Sequence, residues 1–236
     1  MWKFLDTGKR SAKQNMAIDA HLLKNLPPNG SPVLHFYDWE NRSITYGCFI
    51  NPATTLLNLK QAHLRGIDVE KRPTGGGVIF HGYDLTFSAL VPVNYKHYSS
   101  NVIGRYNLIN ARVKKAIEKV IDVDNSSLLS QDCLPLSQEC RYFCMANPTR
   151  CDVMIQGRKV AGAAQRRTKR GYLQQVSIAI APLEAEFLYS LFSSGSAVVE
   201  AMLCHSYSIL GHNWDPSTLR HTYLLLKHHL KEQFMQ

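Results

Sequence analysis

Two short segments of this 236-residue sequence combine residue types that suit the binding of a small anionic ligand. The first covers residues 71–81 and places three consecutive glycines, at 75–77, between a basic pair and an apolar run. Glycine lacks a Cβ, so a ligand can approach its main chain closely. A flexible surface turn is the simpler interpretation of the glycines alone. Because buried strands are predicted at 78–80 and 85–91, we interpret the turn as a ligand cradle.

The second segment is a predicted β-hairpin with a lysine at its turn. The turn falls at Gln156-Gly157, and Lys159 is followed by the small residues Gly162 and Ala163. Small side chains next to a lysine leave room for a ligand to reach its ammonium group. A solvated hairpin lysine is the alternative for this segment taken alone. We expect the Lys159 side chain to lie at the ligand rather than in the core, so that its removal abolishes activity without disturbing the fold.

The cysteines carry a second kind of chemistry. The chain has six, of which four fall between residues 133 and 151 without forming a Cys-x-x-Cys pair. No apolar secretory signal begins the sequence, so free thiols are more plausible than a disulfide framework. The spacing supports a structural zinc site poorly, and we predict no metal.

Composition restricts the class of protein. Hydrophobic residues make up 45% and charged residues 19% of the chain, which indicates an ordered globular protein. No apolar run approaches the roughly 18 residues of a membrane span, so we expect a cytoplasmic protein with no membrane partner. The formal net charge of +9 indicates an anionic partner. Nucleic acid, an acidic protein and a phosphate-bearing cofactor all satisfy that requirement.

The elements that must position these segments follow from periodicity and turn residues. Helices are predicted at 11–26, 52–65, 101–121, 184–191 and 218–234. Strands are predicted at 32–39, 43–47, 67–70, 78–80, 85–91, 151–155, 158–162 and 173–180. Residues 122–147 are predicted to form a long loop, which is uncommon without a function. Strands dominate the middle without strict alternation with helices, so the fold class is α+β.

The two segments together resemble a known family. Residues 72–77, His81 and residues 84–88 resemble the signature of the lipoate–protein ligase and octanoyltransferase superfamily, which includes the biotin–protein ligases. Residues 157–167 are similar to its second signature, with Lys159 at the lysine position. The resemblance covers roughly residues 1–185. It implies a biotin/lipoate ligase-like, class II synthetase-like fold with a central mixed, largely antiparallel sheet flanked by helices. We expect a single catalytic domain over 1–236, with a core at 1–185 and a helical extension at 186–236.

The activity that the resemblance implies first is lipoate–protein ligation. Such a ligase activates lipoate or octanoate with ATP and Mg²⁺, then attaches it to the ε-amine of a lysine on acidic lipoyl domains of 2-oxoacid dehydrogenase or glycine-cleavage proteins. In this reading Lys159 and Arg72 neutralise the carboxylate and α-phosphate, and Val78, Phe80 and Ala163 line the acyl slot. The expected binding residues are Arg72, Thr74, Gly75, Gly76, Gly77, Val78, Ile79, Phe80, His81, Lys159, Gly162 and Ala163.

An alternative activity needs no ATP. Cys144, fifteen residues before Lys159, resembles the nucleophile of a cysteine-dependent octanoyltransferase branch, which takes its acyl group from an acyl-carrier protein or a lipoyl protein. Arg141, Arg150 and Lys159 would favour its thiolate. The chain also looks too short for the accessory domain of a full ligase. Gly77 favours the ligase instead, because a basic residue is usual there in the transferase branch.

Two further alternatives are weaker. The Arg-Arg pair at 166–167 and the run at 86–88 follow the lipoyl branch rather than the biotin ligases. The basic run at 166–170 would suit a nucleic-acid-binding module, but no aromatic-interleaved basic motif accompanies it. We therefore expect no nucleic-acid partner, and we attribute the basic charge to docking of acidic partner proteins.

Overall fold

The computed structural model describes residues 1–122, 126–194 and 196–235. The strands are β1 (Lys3–Arg10), β2 (Val33–Trp39), β3 (Ser43–Tyr46), β4 (Asp68–Lys71), β5 (Val78–His81), β6 (Asp84–Pro92), β7 (Ser126–Leu128), β8 (Val153–Ile155), β9 (Arg158–Thr168) and β10 (Gly171–Ala179). The α-helices are α1 (Ala12–Lys24), α2 (Leu59–Leu64), α3 (Val102–Glu118), α4 (Ala185–Tyr189), α5 (Ser196–His205) and α6 (Pro216–Met235). Short 3₁₀ turns lie at Pro52–Thr54 and Cys140–Tyr142.

The strands form two sheets. The larger has seven strands in the order β1-β2-β6-β10-β9-β8-β7, and the smaller has three in the order β4-β3-β5. Within the larger sheet β1 and β2 are parallel and the other neighbours antiparallel. In the smaller sheet β3 is parallel to β4 and antiparallel to β5. The predicted α+β class, with a mixed and largely antiparallel sheet, is confirmed.

The larger sheet is covered by helices on both faces. Phe36 of β2 and Phe87 of β6 are fully buried on the face that carries α6, where Phe234 stacks edge-on against Phe87. Neighbouring positions point the other way, so His35 of β2 contacts Asp19 of α1. Since side chains alternate along a strand, β2 and β6 must be apolar on one face and can be polar on the other. That second face continues into the site described below.

Helix α1 begins where the sequence supplies a capping box. The Ser11 hydroxyl accepts the Gln14 N–H, and the Gln14 side chain accepts the Ser11 N–H. The turn between β8 and β9 also has the expected chemistry, because Gln156 and Gly157 both have positive φ, of 50° and 74°. Two consecutive left-handed residues suit the twist of a tight hairpin.

Several elements differ from the sequence prediction. Strand β1 was not predicted, since its charged residues follow no strand periodicity, and helix α5 was not predicted because it is mostly apolar. The helix expected at 52–65 is divided, because Asn58 caps a new helix at α2. The expected loop at 122–147 contains β7 and a 3₁₀ turn, and its residues 123–125 lie outside the described part of the chain. Among the described helices, none is both long and apolar enough to cross a membrane.

Candidate acyl-transfer site

The glycine turn between β4 and β5 is held from inside by Arg72. This side chain is buried, and its two terminal nitrogens donate to the carbonyls of Gly75 (3.0 Å), Gly77 (2.7 Å) and Thr45 (2.9 Å), and to the Thr45 hydroxyl. Gly76 has a φ of 82°, a left-handed conformation that favours glycine. Arg72 was expected to bind phosphate, but its forked donors are used on main-chain oxygens. Its role here is to hold the turn.

The third glycine makes room for another part of the chain. A Cβ on Gly77 would collide with the carbonyl oxygen of Tyr142. The chain then runs on past Phe143, and the Cys144 N–H donates to the Val78 carbonyl at 2.9 Å. Gly77 therefore lets the cysteine segment lie directly against β5. Close packing against Tyr142 therefore explains why this position is a glycine, without reference to a bound nucleotide.

Lys159 lies at the start of β9 and is buried. Its Nζ forms an ion pair with Asp152 Oδ2 at 2.7 Å and donates to the carbonyl oxygen of Cys144 at 2.9 Å. A Cβ on Gly162 would collide with Lys159 Cε. Gly162, predicted to leave room for a ligand, thus leaves room for the aliphatic part of the Lys159 side chain. The structure brings Lys159, Gly162 and Cys144 together as one group.

Asp152 is the member of this group that sequence reasoning missed. Its Oδ2 also accepts the main-chain N–H of Thr149 at 2.8 Å. The preceding residue, Cys151, has a φ of 75°, and its carbonyl accepts the Asn110 side-chain amide at 2.7 Å. A left-handed residue other than glycine costs free energy and persists only where its surroundings hold it. A lone acidic residue within the apolar run 151–155 was the signal available in the sequence.

Cys144 lies beside both the glycine turn and Arg72. It is half-buried, and a Cβ on Gly76 would come within 3.8 Å of its Sγ. Burial lowers the pKa of the Arg72 guanidinium, and the adjacent Cys144 side chain opposes that shift. Arg72 therefore supplies positive charge next to the sulfur. Of the cations expected to do so, Arg141 and Lys159 line the same cavity, whereas Arg150 is exposed and donates its main-chain N–H to Asp132.

These groups meet in a cavity of about 300 Å³. Its walls are largely apolar, and among its described lining residues there is no Asp or Glu. Burial raises the pKa of the lining Tyr106 to about 12, so its hydroxyl stays protonated at neutral pH. The residues expected at the site that line the cavity are Arg72, Gly76, Gly77, Ile79, His81, Cys144, Lys159, Gly162 and Ala163.

Four expected residues lie elsewhere. Val78 and Phe80 alternate with Ile79 along β5 and point into a separate apolar cluster with Phe143, so Ile79 lines the slot in their place. Thr74 is fully buried, where its hydroxyl donates to Gln175 at 2.6 Å. The remaining residue, Gly75, faces the Phe49 ring on the outside of the turn.

His81 lines the cavity with both ring nitrogens engaged. Nε2 lies 2.8 Å from the Thr45 hydroxyl and Nδ1 lies 2.8 Å from Asp84 Oδ2, while the ring stacks on Trp39. Burial alone would raise the pKa of Asp84, but His81 and hydrogen bonds from Ser177 and Thr86 hold it below its ordinary value. The imidazole is therefore a fixed part of the wall rather than a free base.

A buried polar network supports the cavity from the side of α1. At its centre Asp19 accepts hydrogen bonds from Ser88 (2.5 Å) and Gln175 (2.7 Å), and it pairs with His35 at 2.8 Å. Gln175 also accepts the Thr74 hydroxyl, which joins the network to the glycine turn. A buried polar network that is satisfied in this way fixes the positions of its members. The cavity is therefore positioned by α1 as well as by the strands.

The family and the fold are identified by comparison with known proteins. Residues 11–202 match the model of the lipoyl protein ligase A/B catalytic domain. A crystal structure of lipoate-protein ligase A bound with ATP superimposes with a TM-score of 0.73 at 17% identity, covering 99% of this chain and 85% of that one. At that identity the likeness supports the fold alone.

Curated relatives correct the expected activity. The octanoyltransferase LipM of Lysinibacillus sphaericus is 30% identical over 83% of this chain and 71% of its own. The octanoyltransferase LipM of Bacillus subtilis is 29% identical over 81% of this chain and 69% of its own. Relatives named as octanoyltransferases contradict ATP-dependent lipoate ligation as the main activity, and that prediction is wrong.

The division of the chain into a core and a helical extension stays a prediction. Both the domain match and these relatives agree on one conclusion: the chain belongs to the lipoyl protein ligase A/B catalytic domain family.

Proposed function

We propose that this protein is an octanoyltransferase that uses Cys144 as its nucleophile. It takes the octanoyl group from the thioester of an acyl-carrier protein and passes it to the ε-amine of a lysine on a lipoyl domain. The observation that supports this most directly is the position of Cys144, which shares one largely apolar cavity with Lys159, Arg72 and Gly76. The names of the curated relatives agree with it.

The first step is thioester exchange. The Cys144 thiolate attacks the carbonyl carbon of the donor thioester, and the bond to the carrier's sulfur breaks, releasing the carrier thiol after it takes up a proton. Arg72 supplies positive charge beside the attacking sulfur. Transfer of an acyl group from one thiol to another replaces one thioester by another and is nearly neutral in free energy, so no ATP is required.

The second step forms the amide. The unprotonated amine of the acceptor lysine attacks the Cys144 thioester, the carbon–sulfur bond breaks, and the amine proton returns to the cysteine or to solvent. Negative charge develops on the thioester oxygen in both steps. Lys159 is held by Asp152 and the Cys144 carbonyl as a fixed cation at this position, which suits stabilisation of that oxygen.

The site fits ATP and Mg²⁺ less well. Arg72, the residue expected on phosphate, gives both terminal nitrogens to main-chain and hydroxyl oxygens of the glycine turn and β3. Carboxylates are the usual protein ligands of Mg²⁺, and Asp152 is already paired with Lys159. We therefore derive no step through a nucleotide.

The test is acylation of an apo lipoyl domain by octanoyl-carrier protein, with and without ATP. We expect transfer without ATP, an octanoyl adduct on Cys144 detected by mass spectrometry, and loss of both in Cys144→Ser. Cys204→Ser is the matched control, because that cysteine is exposed and outside the cavity lining. Full activity of Cys144→Ser, or activity only with free octanoate and ATP, would contradict the proposal.

A further inference from the structure

Phe49 is an aromatic side chain held out in solvent. It is 90% exposed, whereas Phe36, Phe87, Phe143 and Phe234 are almost fully buried. It lies in the short connection that follows β3. The exposure of one large apolar ring, beside a cavity that the proposed reaction uses, calls for a physical reason.

The connection that carries Phe49 is fixed rather than loose. The Cys48 N–H donates to the Thr74 carbonyl at 2.8 Å, and Gly47 packs so closely on the glycine turn that a Cβ there would collide with the Gly76 carbonyl. Ile50, next to Phe49, lines the cavity. The backbone at Phe49 is therefore fixed in a position from which the ring projects into solvent.

The ring lies against the glycine turn, of which Gly76 and Gly77 line the cavity. A Cβ on Gly75 would lie 3.9 Å from the Phe49 ring, while one on the exposed Gly76 would lie 3.8 Å from Cys144 Sγ. Phe49 thus covers the outer side of the turn whose inner side meets the nucleophile. A protein bound on this ring would be one main-chain turn away from Cys144.

Two exposed cations lie on segments next to the glycine turn. Arg166 is exposed and donates to the carbonyl of Pro73, two residues before the first glycine of the turn, at 3.1 Å. Lys71 is exposed at the end of β4 and pairs in register with Tyr46, three residues before Phe49. The nearest acidic neighbour in sequence, Glu70, is half-buried and accepts the Lys71 N–H. Arginine and large aromatic side chains, chiefly Trp and Tyr, are enriched among the few residues that supply most of the binding energy at protein interfaces.

We propose that Phe49, Lys71 and Arg166, here called the rim surface, dock the acceptor: an acidic lipoyl domain that presents its lysine on an exposed turn. This inference rests on the proposed function and names the partner of the same site. A lysine side chain reaches only about 6 Å from Cα to Nζ, so the acceptor must sit directly at the cavity. A carrier protein offers its acyl group on a much longer flexible arm and has no such need. Positive charge on the rim surface complements an acidic partner.

A binding experiment tests the rim surface without any chemistry. Titration calorimetry of the apo lipoyl domain against the unacylated wild type should give a measurable Kd. Phe49→Ala and Arg166→Glu should each weaken it by about tenfold or more. Leu224→Ala and Arg220→Glu are matched controls on α6, across the large sheet, and should leave Kd unchanged. Wild-type affinity in both rim variants would overturn the inference.

A kinetic split separates the acceptor from the donor. In the rim variants the rate of Cys144 acylation by octanoyl-carrier protein should stay at the wild-type value, while KM for the lipoyl domain rises about tenfold. A matching loss in the acylation step would overturn acceptor docking and assign the surface to the donor. If the wild type binds the lipoyl domain through this surface but Cys144 is never acylated, the proposed function fails and the docking surface stands.

Discussion

Lys159 and Asp152 form a buried ion pair whose Nζ–Oδ2 distance is 2.7 Å. The same Nζ donates to the Cys144 carbonyl, so one side chain joins the β8–β9 hairpin to the segment that carries Cys144. A buried charge is tolerated when it is paired and hydrogen-bonded, and both conditions hold here. Lys159 therefore has a structural role in addition to the role in the reaction that we propose for it.

Lys159→Ala is expected to abolish acyl transfer and also to destabilise the protein. Removing the lysine leaves the Asp152 carboxylate buried without its partner, which costs about 3–5 kcal/mol of unfolding free energy. The sequence-based expectation that the fold would be unaffected is therefore revised. Urea denaturation of the variant and the wild type measures the difference.

The double variant Lys159→Met/Asp152→Asn is its control. Replacing both charges removes the unpaired carboxylate, so much of the lost stability should return while transfer stays absent. A stable and inactive double variant would separate the two roles of Lys159. Wild-type turnover by either variant would contradict the assignment of Lys159 to the reaction.

Gly162→Ala should reduce transfer by displacing Lys159. The new Cβ would lie 2.7 Å from Nζ and collide with Cε, while Asp152 holds the ammonium in place. We expect an activity loss of about tenfold or more, since small displacements of a reacting group are costly. Gly157→Ala is the control in the same hairpin: its φ of 74° makes alanine cost about 1–2 kcal/mol, but no atom lies within 4 Å of the added Cβ. It should lower stability and keep the transfer rate.

Gly77→Ala should disturb the segment that carries Cys144. The added methyl would collide with the main-chain oxygen of Tyr142, which cannot move aside as a flexible side chain can. We expect a stability loss of about 1–3 kcal/mol and slower acylation of Cys144, measured by denaturation and by rapid-quench mass spectrometry. Gly75→Ala meets the Phe49 ring at an ordinary 3.9 Å and should behave like the wild type. Equal effects at both positions would show that close packing on Tyr142 is unimportant.

The stability of the protein should fall at acid pH partly through Asp84. Burial raises its pKa, but His81 and the hydrogen bonds of Ser177 and Thr86 outweigh that, so the folded-state pKa lies below the ordinary 3.8. A folded-state pKa below the unfolded-state pKa stabilises the protein above about pH 4. This stabilisation is lost as the pH falls through the folded-state pKa. Unfolding free energies between pH 2 and 7 should therefore decline less steeply below pH 4 in Asp84→Asn than in the wild type. Parallel curves would contradict this.

Much of the fold followed from local patterns. The periodicity of α3, the β8–β9 turn at Gln156-Gly157 and the apolar run of β6 each depend on neighbouring residues alone, and each was predicted. Strand β1 and helix α5 were missed, because an exposed edge strand and a mostly apolar helix lack the expected periodicity. The face that a strand turns to the site was a separate difficulty. On β5 both faces are apolar, and the sequence could not assign Ile79 rather than Val78 and Phe80 to the cavity.

By itself, the sequence indicated a glycine turn and a nearby lysine, Lys159, as candidate ligand-binding groups, because residue types and short-range neighbours predict a cradle of that kind. The resemblance of its motifs to a known family added acyl chemistry and Cys144 as a candidate nucleophile. Only the tertiary structure decided what each group contacts: Arg72 holds the turn, Gly77 admits Tyr142, and Asp152 anchors Lys159. Those contacts join residues that are distant in the chain or lie on opposite sides of a hairpin. Hydrogen bonds and close packing depend on distances of a few ångströms, which become defined only when the sheet has brought the strands together.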